Sequence, residues 1–371
     1  MVAPADASYT VHFGRLPEVG RLAARWRALE ARSTCSIFLS WLWIGSWLAV
    51  ICPKHTARLV SVEFEGRCVA MAIFTLRRRF YGIGPRHLRL HETGNRDLDS
   101  LTIEYNGLLS ESGHERDALA AVVRHLVEAG GWLSLHLPGL DADAVPHGSF
   151  LLPGIEFRRT VRPTYHVELD ELRGRQSDYV DSLSSGTRAK IRRTGRKIAG
   201  LAGEIGLEHA ASASHKQAFF SKLIVLHQAH WSEDERAGGA FKDRQIIEFH
   251  RRLIEGSSAQ AGVQLLRVTA GTETLGYVYG LSWRGITYFY QAGIDYRRFG
   301  PCGSPGLFLL SHAVQHALDQ GMTRYEFMAG NAPYKRTLGS AEGRMLWLSL
   351  DRVGLTGRAR RLWWALRRSR E

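Results

Sequence analysis

One order of segments, written twice along 371 residues, constrains this chain more than any other feature. In the first half, apolar periodicity predicts helices over 16–31 and 37–51. Strand-like runs at 58–65 and 67–77 flank Glu65-Gly66-Arg67, a hairpin signal. A strand over 101–109, a helix over 114–128 closed by Gly130-Gly131, and a strand over 132–137 follow. The second half repeats this. Helices over 219–230 and 241–254 are separated by Gly238-Gly239, and strands over 263–269 and 275–282 flank Gly271. A strand over 286–291, a helix over 306–319 and a strand over 323–328 close the series. This duplication predicts an α+β fold of two tandem units, each a mixed sheet flanked by helices. The expected division is 1–160, 161–350 and a basic tail, 351–371. Between the units, 148–171 is punctuated by Pro153, Gly154 and Pro163 and holds a crossover strand at 165–169.

Charge is uneven. The net charge is +13, yet residues 188–197 carry six basic side chains and no acid, and 358–371 carry six arginines and one glutamate. The rest of the chain is nearly neutral. Residues 177–198 read as one helix with Val180, Leu183, Thr187, Ile191 and Ile198 on one stripe and the cations elsewhere. A helix that basic suits a polyanionic partner, such as cofactor phosphates or a nucleotide- or lipid-linked substrate. No aromatic residue interleaves the cluster, which argues against nucleic acid. Leu362, Trp363, Trp364 and Leu366 among the tail arginines fit peripheral contact with an anionic membrane. The most apolar run, 37–51, is shorter than the roughly 18 residues a spanning helix needs. Neither a signal peptide nor a C-x-x-C pair is evident among Cys35, Cys52, Cys68 and Cys302, so a reduced cytoplasmic setting is expected.

Three stretches suggest chemistry. Residues 286–318 join a β-branched, aromatic strand to an amphipathic helix through Gly300, Gly303 and Gly306, with Ser304 as the expected N-cap and Pro305 at the first helical position. Such a turn aims backbone N–H groups at an anion, and Arg297 and Arg298 precede it. His227 and His230 form an H-x-x-H pair beside Trp231, but no third ligand stands at useful spacing, so no metal is expected. Residues 330–339 read as a loop that sets Tyr334 and Lys335 at the carboxyl end of the last strand.

Taken in order, these pieces resemble the CelD/BcsL-type GNAT acetyltransferases of cellulose and exopolysaccharide biosynthesis, whose fold is shared with Fem-type peptidyltransferases. The resemblance runs through Leu183, Arg188-x-x-Ile191-Arg192-Arg193-x-x-Arg196-Lys197, Leu226-His227-x-x-His230-Trp231 and Gly239-Ala240-Phe241. It continues through Tyr290-x-x-Gly293-x-Asp295, Ser304-Pro305-Gly306, Glu326-Phe327-x-x-Gly330 and Tyr334-Lys335. It covers 165–339 well and the first half only by layout. Arg297-x-x-Gly300-x-Cys302-Gly303 is similar to the GNAT pyrophosphate loop. His230 stands where the family usually has arginine, and Glu326 where it has aspartate, which leaves substrate identity open.

The resemblance implies that the second unit is catalytic, with acetyl-CoA or another acyl-CoA as cosubstrate. Pantetheine would pair with backbone at Gln291, Ala292, Gly293 and Ile294. The pyrophosphate would meet Arg298, Gly300, Gly303, Ser304 and Gly306. An amine or hydroxyl of an anionic sugar or envelope precursor would attack the thioester directly, with Asp295 as base and Tyr334 as acid. Arg188, Arg192, His227, His230, Trp231, Asn331 and Lys335 would bind that acceptor. A Fem-type transferase using aminoacyl-tRNA and a non-catalytic scaffold of a polysaccharide-synthesis complex are the alternatives.

Overall fold

The computed structural model describes residues 9–80, 83–101, 103–146, 152–231, 239–258 and 261–353; the basic tail, and with it the membrane reading, lies outside them. Contacts divide the chain into two units, whose boundaries fall at Val161/Arg162 and Arg344/Met345.

In the first unit, β1 (Thr10–Arg15) leads to α1 (Val19–Glu30) and α2 (Trp41–Val50). The apolar run at 37–51 is not one helix: a 3₁₀ turn at Ile37–Leu39 precedes Ser40, whose hydroxyl caps α2 by accepting the Trp43 amide. The hairpin is β2 (Ala57–Phe64) and β3 (Arg67–Phe80), with Glu65 and Gly66 both at positive φ. β4 (Ile83–Leu90) went unread, because its glycine, proline and arginines carry no strand signal. The expected strand at 101–109 shrinks to β5 (Leu109–Ser110). Buried Asn106 holds the preceding residues as a loop, donating to Pro138 O at 3.0 Å and accepting from the Gly107 amide at 2.9 Å. α3 (Glu115–Ala129) ends at Gly130, φ +66°, and β6 (Ser134–Asp141) follows. The sheet order is β1-β2-β3-β4-β6, with β4 and β6 parallel, completed by the Met345–Asp351 part of a late strand. That pairing takes residues 345–353 into this unit. Trp26, Trp43 and Trp47 are fully buried.

β7 (Ile155–Glu168), longer than the expected 165–169, enters the second unit, followed by α4 (Leu169–Gly174). The helix expected over 177–198 breaks into α5 (Tyr179–Ser182) and α6 (Ser185–Ala202), because extended Ser184 caps α6 through the Thr187 amide. Then come β8 (Ile205–His209), α7 (Ala213–Trp231), α8 (Arg244–Gly256), β9 (Gly262–Ala270), β10 (Glu273–Trp283) and β11 (Ile286–Ile294). A one-turn helix α9 (Tyr296–Phe299) and a 3₁₀ turn (Gly300–Cys302) lead into α10 (Pro305–Asp319). β12 (Arg324–Ala329), α11 (Pro333–Leu338) and β13 (Ala341–Arg352) close the chain, so the expected loop at 330–339 contains a helical turn. The order here is β7-β12-β11-β10-β9-β8, antiparallel except for β11 and β12. The α+β class, two units each with a mixed sheet and flanking helices, is therefore as the sequence predicts.

Both units bury neutral imidazoles. His91 accepts the Ile73 amide at 3.1 Å, and burial lowers its pKa to about 4; burial lowers that of His250, which meets Tyr279 Oη at 3.0 Å, to about 3. The folded state resists protonation while the unfolded chain takes protons near pH 6.5, so stability present above that pH is lost as pH falls toward 4. Urea midpoints are expected to drop steeply between those values, and a flat profile would show the rings to be solvated in the fold.

Candidate functional site

β11 is β-branched and aromatic enough to form a strand anywhere, but its pairing decides the site. It runs parallel to β12 only from Ile286↔Arg324 to Tyr288↔Glu326. Beyond that point both strands deform. On β12 the Glu326 carboxylate accepts the Met328 amide at 3.0 Å, Met328 turns to φ +65°, and the register with β7 slips between Glu326 and Ala329. On β11, Tyr290 is an extra residue with no counterpart on β10. The strands part, and among the described residues Gln291–Ile294 pairs with β10 alone. The end of β11 that β12 leaves lines a cleft of about 560 Å³, with Phe289 and Gln291 on one wall and Tyr334 on another.

The start of α10 forms the floor. Gly303 sits at φ +125°, a conformation glycine adopts without strain. Its amide donates to Gly300 O at 3.1 Å, and the Ser304 amide donates to Thr194 Oγ1 of α6 at 3.2 Å. Ser304 makes no side-chain cap, contrary to expectation, and Pro305 has no amide hydrogen. The amides of Gly306 and Leu307, both cleft residues, find no acceptor among the described residues. They stand at the positive end of a 15-residue helix. A Cβ on Gly306 would lie 3.1 Å from Tyr296 Oη, so a side chain there would intrude on the cleft wall.

Of the residues singled out from sequence, Gln291, Ala292, Ile294, Gly303, Ser304, Gly306, His227, His230 and Tyr334 converge on this cleft. Others are committed elsewhere. Gly293 is buried against α7, where a Cβ would stand 2.5 Å from Leu223 O, so its smallness serves packing. The Asp295 carboxylate caps α9 by accepting the Arg298 amide at 3.0 Å. Arg298 forks onto Glu273 at 2.6 and 2.8 Å and holds that carboxyl below its usual range. Gly300 starts the 3₁₀ turn. Arg188 donates to Asp181 O at 2.7 Å, and Arg192 pairs with the Asp181 carboxylate at 2.5 Å. Lys335 donates to Ala329 O at 2.5 Å, at the end of β12, and Asn331 is exposed outside the cleft lining. The Trp231 side chain is outside the described residues.

The two histidines differ. His227 is buried, and its Nε2 accepts the Ala240 amide at 3.2 Å, which places the ring proton on Nδ1 facing Ala292 O at 3.2 Å. Burial lowers its pKa, so it is a neutral strut between α7 and β11. His230, exposed at the cleft, lies 4.6 Å from the Tyr296 ring. Tyr334 stands edge-on to Phe289 and Phe327 at 6.1 and 6.3 Å. Sequence reasoning missed Lys190, Phe289 and Tyr296; Lys190 was visible only as one cation of six.

Residues 185–336, all within the second unit, match the family described as acetyltransferase (GNAT) domain. No curated protein matches the chain significantly. FemX shares the fold at a TM-score of 0.56 and 11% identity, over 91% of this chain and 96% of its own. A conserved protein of unknown function from Bacteroides thetaiotaomicron does so at 0.55 and 8%, over 92% and 100%. The C-terminal domain of a putative lysylphosphatidylglycerol synthetase from Agrobacterium fabrum does so at 0.53 and 10%, over 93% and 95%. Among the described residues no helix is long and apolar enough to cross a membrane.

The Thr194 hydroxyl anchors the floor. Thr194→Val, which keeps the shape but orphans the Ser304 amide, is expected to cost about 1–2 kcal/mol of stability in urea denaturation. No loss would mean that solvent replaces the hydroxyl.

Proposed function

We propose that the protein transfers an acetyl or other acyl group from acyl-CoA to an amine or hydroxyl of an anionic envelope or exopolysaccharide precursor, as a CelD/BcsL-type acyltransferase. One observation carries this reading: the end of β11 that β12 leaves shares one cleft with the amides of Gly306 and Leu307, which find no acceptor among the described residues. A diphosphate fits that floor because Gly303 and Gly306 put backbone rather than side chains beside it. The edge of Gln291–Ile294, which pairs with no strand but β10 among the described residues and gives up only the Ala292 carbonyl to His227, offers hydrogen bonds to a pantetheine arm.

Acyl-CoA would supply an activated thioester. Tyr334, on the cleft wall, holds a proton at Oη for the departing sulfur, and His230 offers an imidazole to take the acceptor's proton. Asp295, occupied as a helix cap, has no part in this scheme. Phe289 and Leu310 line the same cleft and limit water at the reacting carbon. The acceptor class rests on the sequence resemblance.

Gly306→Glu is expected to abolish CoA binding in isothermal titration while the thermal melt stays cooperative; retained affinity would relocate the cosubstrate. Tyr334→Phe should lower kcat roughly 100-fold with donor KM nearly unchanged. An unaltered kcat would remove Tyr334 as acid. The acceptor is found by screening envelope sugars and amino acids with acetyl-CoA for a mass shift, and CoA released without tRNA separates this activity from a Fem-type one.

A further inference from the structure

Helix α6 carries more positive charge than its packing uses. Asp181 occupies Arg188 and Arg192, whereas Lys190, Arg193, Arg196 and Lys197 are exposed and form no ion pair among the described residues. Thr194 marks where this helix meets the cleft. Its hydroxyl holds the Ser304 amide, and a Cβ on Gly303 would lie 3.0 Å from it. Residues three and four positions apart on a helix are neighbours, so Lys190 and Lys197 flank Thr194 along the axis, and Arg193 adjoins both on the exposed side. Lys190 lines the cleft together with Gly303, Ser304 and Gly306. At Gly186 and Gly200 a Cβ would meet nothing within 4 Å, so the exposed side is open at both ends.

We infer that α6 is a phosphate rail that selects the nucleotide end of the cosubstrate. Lys190 meets the diphosphate beside the α10 amides, and Arg193 and Lys197 meet the further phosphate on the ribose of CoA. The inference rests on the acyl-CoA reading of the cleft and names the residues that distinguish CoA from its dephosphorylated form. The arginine that the sequence offered for this task, Arg298, is taken by Glu273. Three cations around one dianionic phosphate and a diphosphate give charge complementarity, and α6 itself carries no acid.

The test is isothermal titration of the full chain with CoA and with 3′-dephospho-CoA, at low and high salt. Wild type should prefer CoA about tenfold at low salt, with the preference shrinking as salt rises. In the Arg193→Ala/Lys197→Ala variant that ratio should fall to about one while dephospho-CoA affinity holds. Lys190→Ala should weaken both ligands about tenfold. All three side chains are exposed, so melting temperatures should not move. A double variant that keeps the wild-type ratio overturns the inference. So does one that keeps the ratio but loses retention of an RNA homopolymer, which would give the rail to nucleic acid. If wild type binds neither CoA form, the acyl-CoA reading fails as well.

Discussion

A single carboxylate-to-amide bond, Glu326 to Met328, sits where the second unit stops being a plain sheet. Parallel strands that stayed in register would pair Phe289–Gln291 with Phe327–Ala329 of β12 and close the gap with backbone hydrogen bonds. The positive φ at Met328 and the extra residue at Tyr290 break that register on both strands. A strand edge buried without partners is costly, so such a break persists only where the surrounding packing over-determines it. Here Glu326 is itself almost fully buried, which fixes its carboxylate on the bulge.

Around this opening each helix has a different task. α10 brings amides that find no acceptor among the described residues, α6 anchors the loop ahead of them through Thr194, and α7 packs so closely on β11 that only glycine fits at 293. His227 ties α7 to β11 as a neutral imidazole, leaving His230 on the solvent side. Polar residues of similar sequence appearance are thereby divided into struts and cleft walls. On the proposed reading, the struts set the width of the groove and the walls carry the proton transfers.

The fold was largely legible because it depends on period and punctuation. Hydrophobic spacing located α1, α3, α7, α8 and α10, Gly130 marked the end of α3, and Gly66 and Gly271 marked two strand turns. The losses have local causes: β4 lacks strand composition, and the polar side chain of Asn106 overrides a strand-like stretch. The site was half legible. Gly303, Gly306 and Gln291 reach the cleft because a strand–turn–helix sequence fixes their mutual placement. Asp295, Arg298, Arg192 and Lys335 look equally chemical in a sequence, yet each is satisfied by a partner the sequence does not reveal.

The duplicated α+β plan, the glycine-rich entry to α10 and the charge of α6 all follow from residue type and local spacing. Long-range packing sets where β11 leaves β12 and, among the described residues, which amides find no acceptor and which cations form no ion pair. Those depend on contacts between residues far apart in the chain, such as Thr194 with Ser304 and Glu273 with Arg298, and no local pattern encodes them.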